Sequence, residues 1–69
     1  MNEIIFLIEE DPEGGYTSRA LDYSIFTEAD DIPELKMNIK EAVDTHFPEG
    51  EAPKIIRLHY VKEEILSNA

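Results

Sequence analysis

The amino-acid sequence predicts a small α+β domain in which one helix packs on one face of a four-stranded sheet, with the elements in the order βββαβ. Three observations predict this fold: an apolar run near the start of the chain, a central segment with helical periodicity, and a later segment that alternates apolar and polar residues. With 69 residues, the chain has room for a single domain, assigned to 1–69, with a thin hydrophobic core.

The first three strands are predicted at 3–9, 15–21 and 24–28. The first of them contains Ile4–Ile8, which is continuously apolar and rich in β-branched residues. Such a run is typical of a central strand that is covered on both faces. The second segment mixes apolar and polar positions, as a half-exposed strand does.

The glycine pair Gly14-Gly15 lies between the first two predicted strands. A phosphate-binding loop needs glycines that lead from a strand into the N-terminus of a helix, with a cation or a helix dipole to meet the anion. Here the glycines lead from strand to strand and follow acidic residues. The pair therefore predicts a hairpin turn in which φ is positive.

A helix is predicted at 32–47 and a fourth strand at 54–62. Asp31 precedes Glu34 by three residues, which is a capping-box-like pair at a helix start. One apolar stripe follows, formed by Ile32, Leu35, Ile39, Ala42, Val43 and His46. Because one helix cannot cover both faces of a four-stranded sheet, the second face is expected to be solvated in part or to pair with another chain.

The charge balance disfavours nucleic-acid binding. Sixteen acidic residues against six basic ones give a net charge of −10, which suits solubility or a basic partner. The chain has no cysteine, so disulfides and thiolate metal sites are excluded and a reducing compartment is favoured. No segment resembles a signal peptide or a membrane span. We therefore expect a cytoplasmic protein that does not interact with membranes.

No enzyme, cofactor or metal site is predicted. The acidic clusters lack the glycine-punctuated spacing of a calcium loop. His46 and His59 have no nucleophile placed beside them in the sequence and no HExxH spacing. A metal-dependent hydrolase is thus the weakest of the functional hypotheses.

The residues from Phe6 to Phe47 resemble the HicB-like antitoxin family. The matching features, in order, are an apolar strand with an acidic end, the segment "EGGYTSRA", a short third strand, and the helix entry "TEADDIPELKMNIKEAVDTHF". The chain departs from the family in the turn "ALDYS", which lacks the usual proline and glycine, and at Asp31, where the family has threonine. Aspartate caps a helix as well as threonine does.

The resemblance implies a truncated RNase H-like fold with sheet order 3-2-1-4, the fourth strand lying parallel to the first. It also implies the toxin-binding half of a HicB-like protein alone, without the C-terminal module that binds operator DNA, so that no direct DNA binding is expected. The implied function is neutralisation, by direct contact, of a small basic mRNA-cleaving toxin of the HicA type. The net negative charge agrees in sign with such a partner.

The expected partner contacts combine the acidic segments with nearby aromatic and basic side chains. They are Glu9, Glu10, Asp11, Glu13, Tyr16, Arg19, Tyr23, Glu28, Asp30 and Asp31. The alternative hypothesis is an orphan domain, forming a homodimer or a higher homo-oligomer, that binds a small metabolite or another protein.

Overall fold

A computed structural model describes residues 2–68 and shows the predicted α+β architecture. Four strands form one sheet in the order β3-β2-β1-β4. The central strand β1 is antiparallel to β2 and parallel to β4, and β2 is antiparallel to β3. The elements are β1 (Glu3–Glu10), β2 (Tyr16–Ala20), β3 (Phe26–Ala29), α1 (Ile32–His46) and β4 (Ile55–Val61). The sheet order expected from the family resemblance is confirmed.

The connection between β2 and β3 is longer than the sequence pattern indicated, since β2 ends at Ala20 and β3 begins at Phe26 and not at residue 24. The backbone N–H of Ala20 donates to the carbonyl of Ile25 at 3.0 Å, and the N–H of Ile25 donates to the carbonyl of Tyr23 at 2.9 Å. These bonds fold the chain back before the strand resumes. Ile25 is buried although it belongs to no strand.

The hydrophobic core lies between one face of the sheet and α1. Its buried members are Ile4, Phe6, Ile8, Ala20, Ile25, Leu35, Ile39 and Val43. The helical stripe predicted from periodicity therefore supplies three buried residues, whereas its last member, His46, is exposed. The one buried polar side chain among the described residues is Ser18, whose hydroxyl lies 2.7 Å from that of Thr27. This hydrogen bond offsets the cost of burying the hydroxyl.

The prediction that β1 is covered on both faces was wrong. Ile4, Phe6 and Ile8 point towards α1 and are buried, but Ile5 and Leu7 point the other way and are only half-buried. Within residues 2–68, no element packs on that second face of the sheet, which we call the open face. The continuous apolar run correctly predicted the central position of β1 in the sheet. It did not show that one face of the strand would be left without a packing partner.

The helix covers one face of β1, β2 and β3 but only part of β4. Its backbone approaches β2 and β3 and, within the described part of the chain, does not come close to β4. The side-chain amide of Asn38 donates to the backbone carbonyl of Glu28 in β3 at 3.1 Å, which ties the helix to that edge. The apolar residues Ile56 and Leu58 of β4 are consequently only half-buried.

The helix begins with the predicted aspartate cap. The carboxylate of Asp31 accepts a hydrogen bond from the backbone N–H of Glu34 at 2.8 Å. Asp31 itself is extended, with φ −141° and ψ 168°, as an N-cap residue should be. Pro33 follows in the first turn, where a missing N–H costs no intrahelical bond.

Replacing the cap should lower the stability of the whole domain. We expect Asp31→Ala to reduce the free energy of unfolding by about 1 kcal/mol, because an N–H of the first turn loses its acceptor. Asp30→Ala is the matched control, since it removes the same charge from a neighbouring exposed residue that does not cap the helix. Urea unfolding followed by circular dichroism measures both. An equal loss in the two variants would show that charge, not capping, matters here.

Candidate functional site

The strand register brings the two acidic segments of the sequence to one end of the molecule. Glu9 lies opposite Thr17 in β2, and Thr17 lies opposite Glu28 in β3. With neighbouring strands about 4.8 Å apart, Glu9 and Glu28 are separated by about 10 Å across the sheet. We call this surface the acidic end. It consists of Glu9, Glu10, Asp11, Glu13, Glu28, Asp30, Asp31 and Glu34, all exposed except the half-buried Asp11.

The glycine-rich loop is a hairpin turn, and its backbone groups bond to one another. The N–H of Gly14 donates to the carbonyl of Asp11 and the N–H of Asp11 donates to the carbonyl of Gly15, each at 2.9 Å. The Asp11 carboxylate accepts from the N–H of Glu13 at 2.8 Å. Gly14 and Gly15 both have positive φ, 107° and 81°. The predicted turn is confirmed, and it holds the first acidic segment against the second.

The two acidic segments share a shallow cleft of about 330 Å³. Its lining includes Asp11 from the hairpin, Glu28 from β3, and Asp30 and Glu34 from the start of the helix. The sequence prediction left Glu34 out of the contact set, because its place three residues after Asp31 indicated a role at the helix start alone. Its membership of the acidic segment 28–34 was the signal that could have included it.

The other three predicted contact residues occupy separate places. Tyr16 lies at the acidic end, half-buried against the core. Arg19 is exposed in the middle of β2 on the open face, where it lies between Leu7 and Phe26.

Tyr23 lies beyond the other end of β2, away from the acidic end. Its ring makes edge contacts with those of His46 and Phe47, at centroid distances of 5.9 and 5.0 Å. The structure therefore groups Tyr16 with the acidic residues and places Tyr23 apart from them.

The open face carries an apolar patch beside the acidic end. Phe26 is 62% exposed and lies in the row of residues next to that of Glu28. Leu7 and Ile5 in β1 add half-buried apolar surface to it. Sequence reasoning placed Phe26 in a strand but did not select it as a contact. Only its register with Arg19 assigns it to the face that the helix leaves bare.

Across residues 2–68, no three His, Cys, Asp or Glu side chains converge as a metal site requires. Within the same residues, no helix is long and apolar enough to cross a bilayer.

Two relatives identify the family. A UPF0150 protein of Archaeoglobus fulgidus is 56% identical over 52 residues, which cover 75% of this chain and 77% of the relative. A UPF0150 protein of Thermotoga maritima is 46% identical over 61 residues, 88% of this chain and 86% of the relative. The chain belongs to the UPF0150 family. Neither a protein-family model nor a solved structure matches it.

The hairpin of this UPF0150 protein should tolerate a side chain at Gly14 better than at Gly15. A Cβ at Gly15 would lie 2.7 Å from the carbonyl oxygen of Ala29, whereas a Cβ at Gly14 would have no neighbour within 4 Å. Gly14→Ala should therefore lower the free energy of unfolding by about 1–2 kcal/mol, through backbone strain alone. Gly15→Ala adds a clash with β3 and should lower it further. Chemical denaturation of the two variants measures the difference, and equal losses would contradict the close approach to Ala29.

Proposed function

We propose that this protein is an antitoxin-like binding protein that neutralises a small basic mRNA-cleaving toxin of the HicA type. It acts by covering the RNA-binding surface of the toxin in a one-to-one complex and catalyses no reaction. Because the toxin attacks mRNA, the proposal includes a cytoplasmic location. The resemblance of residues 6–47 to the HicB-like family suggests this class of partner.

The observation that carries the proposal is the acidic end, where two segments distant in sequence form one surface. A protein that binds RNA presents lysine and arginine to the phosphate backbone. An acidic surface of matching extent is attracted to the same groups and competes with RNA for them. The net charge of −10 adds a long-range field that speeds the encounter with a basic partner.

The apolar patch beside the acidic end supports a protein partner over a small ligand. Interfaces commonly combine an apolar centre, enriched in aromatic residues and arginine, with a polar rim. Phe26, Leu7 and Arg19 have the composition of such a centre, and Glu9 and Glu28 lie in the next row of the sheet. The clefts of this region are open and shallow, which suits a broad contact better than enclosure of a metabolite.

The first experiment is to recover the partner. The tagged protein serves as bait in lysate of its native host at low salt, and mass spectrometry identifies what is retained. We expect one small basic protein in near-equal amount, released as salt rises. The purified partner should cleave RNA, and addition of one equivalent of this protein should stop the cleavage. A bait recovered alone, or a partner without RNA-cleaving activity, would overturn the proposal.

The acidic end should control the rate of association with that toxin. We expect the double variant Glu28→Lys/Asp30→Lys to associate about tenfold more slowly at low salt, because it reverses the local charge that attracts the partner. The control is Glu49→Lys/Glu51→Lys, which changes the net charge equally at exposed positions in the loop after α1. Stopped-flow or surface-plasmon measurements give both rates. An equal slowing would assign the effect to net charge and not to the acidic end.

A self-associating domain, the second candidate, is favoured by a different feature. The edge strand β4 lies outside the cover of the helix, and its apolar side is only partly shielded.

A further inference from the structure

A cleft lined by lysine and apolar side chains runs between α1 and β4. It encloses about 270 Å³ and is lined by Lys36, Ile39, Lys40, Lys54, Ile56 and Leu58. We call it the lysine cleft. It contains three of the six basic residues of a protein with net charge −10. Within residues 2–68, no acidic side chain lies within ion-pairing distance of these lysines.

The cleft exists because the helix leaves β4 partly uncovered. Ile56 and Leu58 point to the helix side of the sheet, where α1 would cover them if it lay further across. The other edge of β4 pairs with no strand among the described residues. An edge strand with free backbone groups is a template for another extended segment, and pockets beside it select the side chains.

The segment after β4 has the complementary chemistry. Residues 62–68 form no helix or strand, and Ile65 and Leu66 are each 83% exposed. Glu63 and Glu64 precede them directly. Two exposed aliphatic side chains next to two carboxylates match a cleft with an apolar floor and a lysine rim.

Strand periodicity strengthens the match. In an extended segment successive side chains point to opposite sides, so Glu63 and Ile65 share one side while Glu64 and Leu66 share the other. Either pair can face the lysine cleft. The remaining pair then faces the open side of β4, which carries Ile55 and Arg57. Each side of the segment thus offers one carboxylate and one aliphatic group. On the open side the cation Arg57 already pairs with Glu3, at 2.7 Å between Nε and Oε2.

In its own chain the segment can reach only the end of the cleft at Leu58, which precedes Val61 by three residues, and not the end at Lys54. From Val61 back to Lys54 the strand spans about 23 Å, at about 3.3 Å per residue. Glu64 follows Val61 by three residues, a reach of about 10 Å. In its own chain the segment instead passes Glu9 and Glu10, with Glu63 and Ile65 lining the same cleft as they do.

We propose that residues 63–66 of one copy add to the edge of β4 in a second copy and fill its lysine cleft, in a reciprocal two-fold dimer. The carboxylate on the side that faces the cleft pairs with its lysines, and the aliphatic side chain on the same side covers Ile56 and Leu58. A two-fold axis makes both contacts identical and closes the assembly at two copies. The proposal is independent of toxin binding, which uses the acidic end.

A charge-exchange experiment tests it. Variant A carries Glu63→Lys/Glu64→Lys and variant B carries Lys40→Glu/Lys54→Glu. Each variant alone places like charges in both contacts, so its dimer dissociation constant should rise at least about tenfold. A mixture of A and B restores opposite charges in both contacts and should form a one-to-one heterodimer. Sedimentation equilibrium measures all three, and circular dichroism confirms that each variant is folded.

Two control variants separate this contact from a general effect of net charge. The variant Glu49→Lys/Glu51→Lys changes the net charge as variant A does. It should dimerise with the same dissociation constant as the wild-type protein. Ile65→Ser/Leu66→Ser should weaken the dimer without any change of charge, because it removes the aliphatic groups. A wild-type protein that stays monomeric into the millimolar range, or a dimer that persists in both A and B, would overturn the proposal.

Discussion

A single helix packs on a four-stranded sheet that is wider than the helix. The exposed apolar and charged surfaces of this protein result from this incomplete cover. With 15 residues, α1 is about 22 Å long and about 10 Å wide with its side chains. Four strands spaced about 4.8 Å apart make a sheet wider than the helix. Covering β1, β2 and β3 therefore leaves β4 partly bare on the helix side. Nothing in the described chain covers the open face.

The chain between β3 and α1 determines which strands the helix covers. Only Asp30 and Asp31 connect Ala29, the last residue of β3, to the first residue of the helix. So short a connection keeps the helix start beside β3, and the amide of Asn38 bonds to the same strand one turn and a half later. The longer segment from 47 to 54 then crosses to the far side of β1, where β4 adds in parallel. The helix cannot shift towards β4 without breaking these contacts.

The acidic and basic groups are separated from each other on this fold. The carboxylates of the acidic end lie where β1 ends and α1 begins, while Lys54 lies by the other end of β1, next to the start of β4. Repulsion among the carboxylates opposes compactness, but their exposure to water and salt screens it. Exposed carboxylates without close cationic partners keep their attraction available for another molecule. In the same way, the lysines of the lysine cleft remain available to attract an acidic group of another molecule.

Local sequence signals were sufficient for much of the fold. Periodicity identified β1, α1 and β4, the Asp31 cap set the helix start, and the need for positive φ at Gly14-Gly15 predicted the hairpin. These signals depend on residues close together in the chain, so they can be recognised without a structure. The sheet order came from a resemblance and not from the pattern itself.

The sequence by itself therefore determined the elements, the buried stripe of the helix and the overall charge. Only the tertiary structure decided that Glu9 and Glu28 share one surface, that Phe26 lies beside them, and that Tyr23 packs at the opposite end with His46 and Phe47. It also decided the lateral position of α1, which exposes β4. Strand register and helix placement depend on contacts between residues far apart in the chain, and one sequence carries no local record of such contacts.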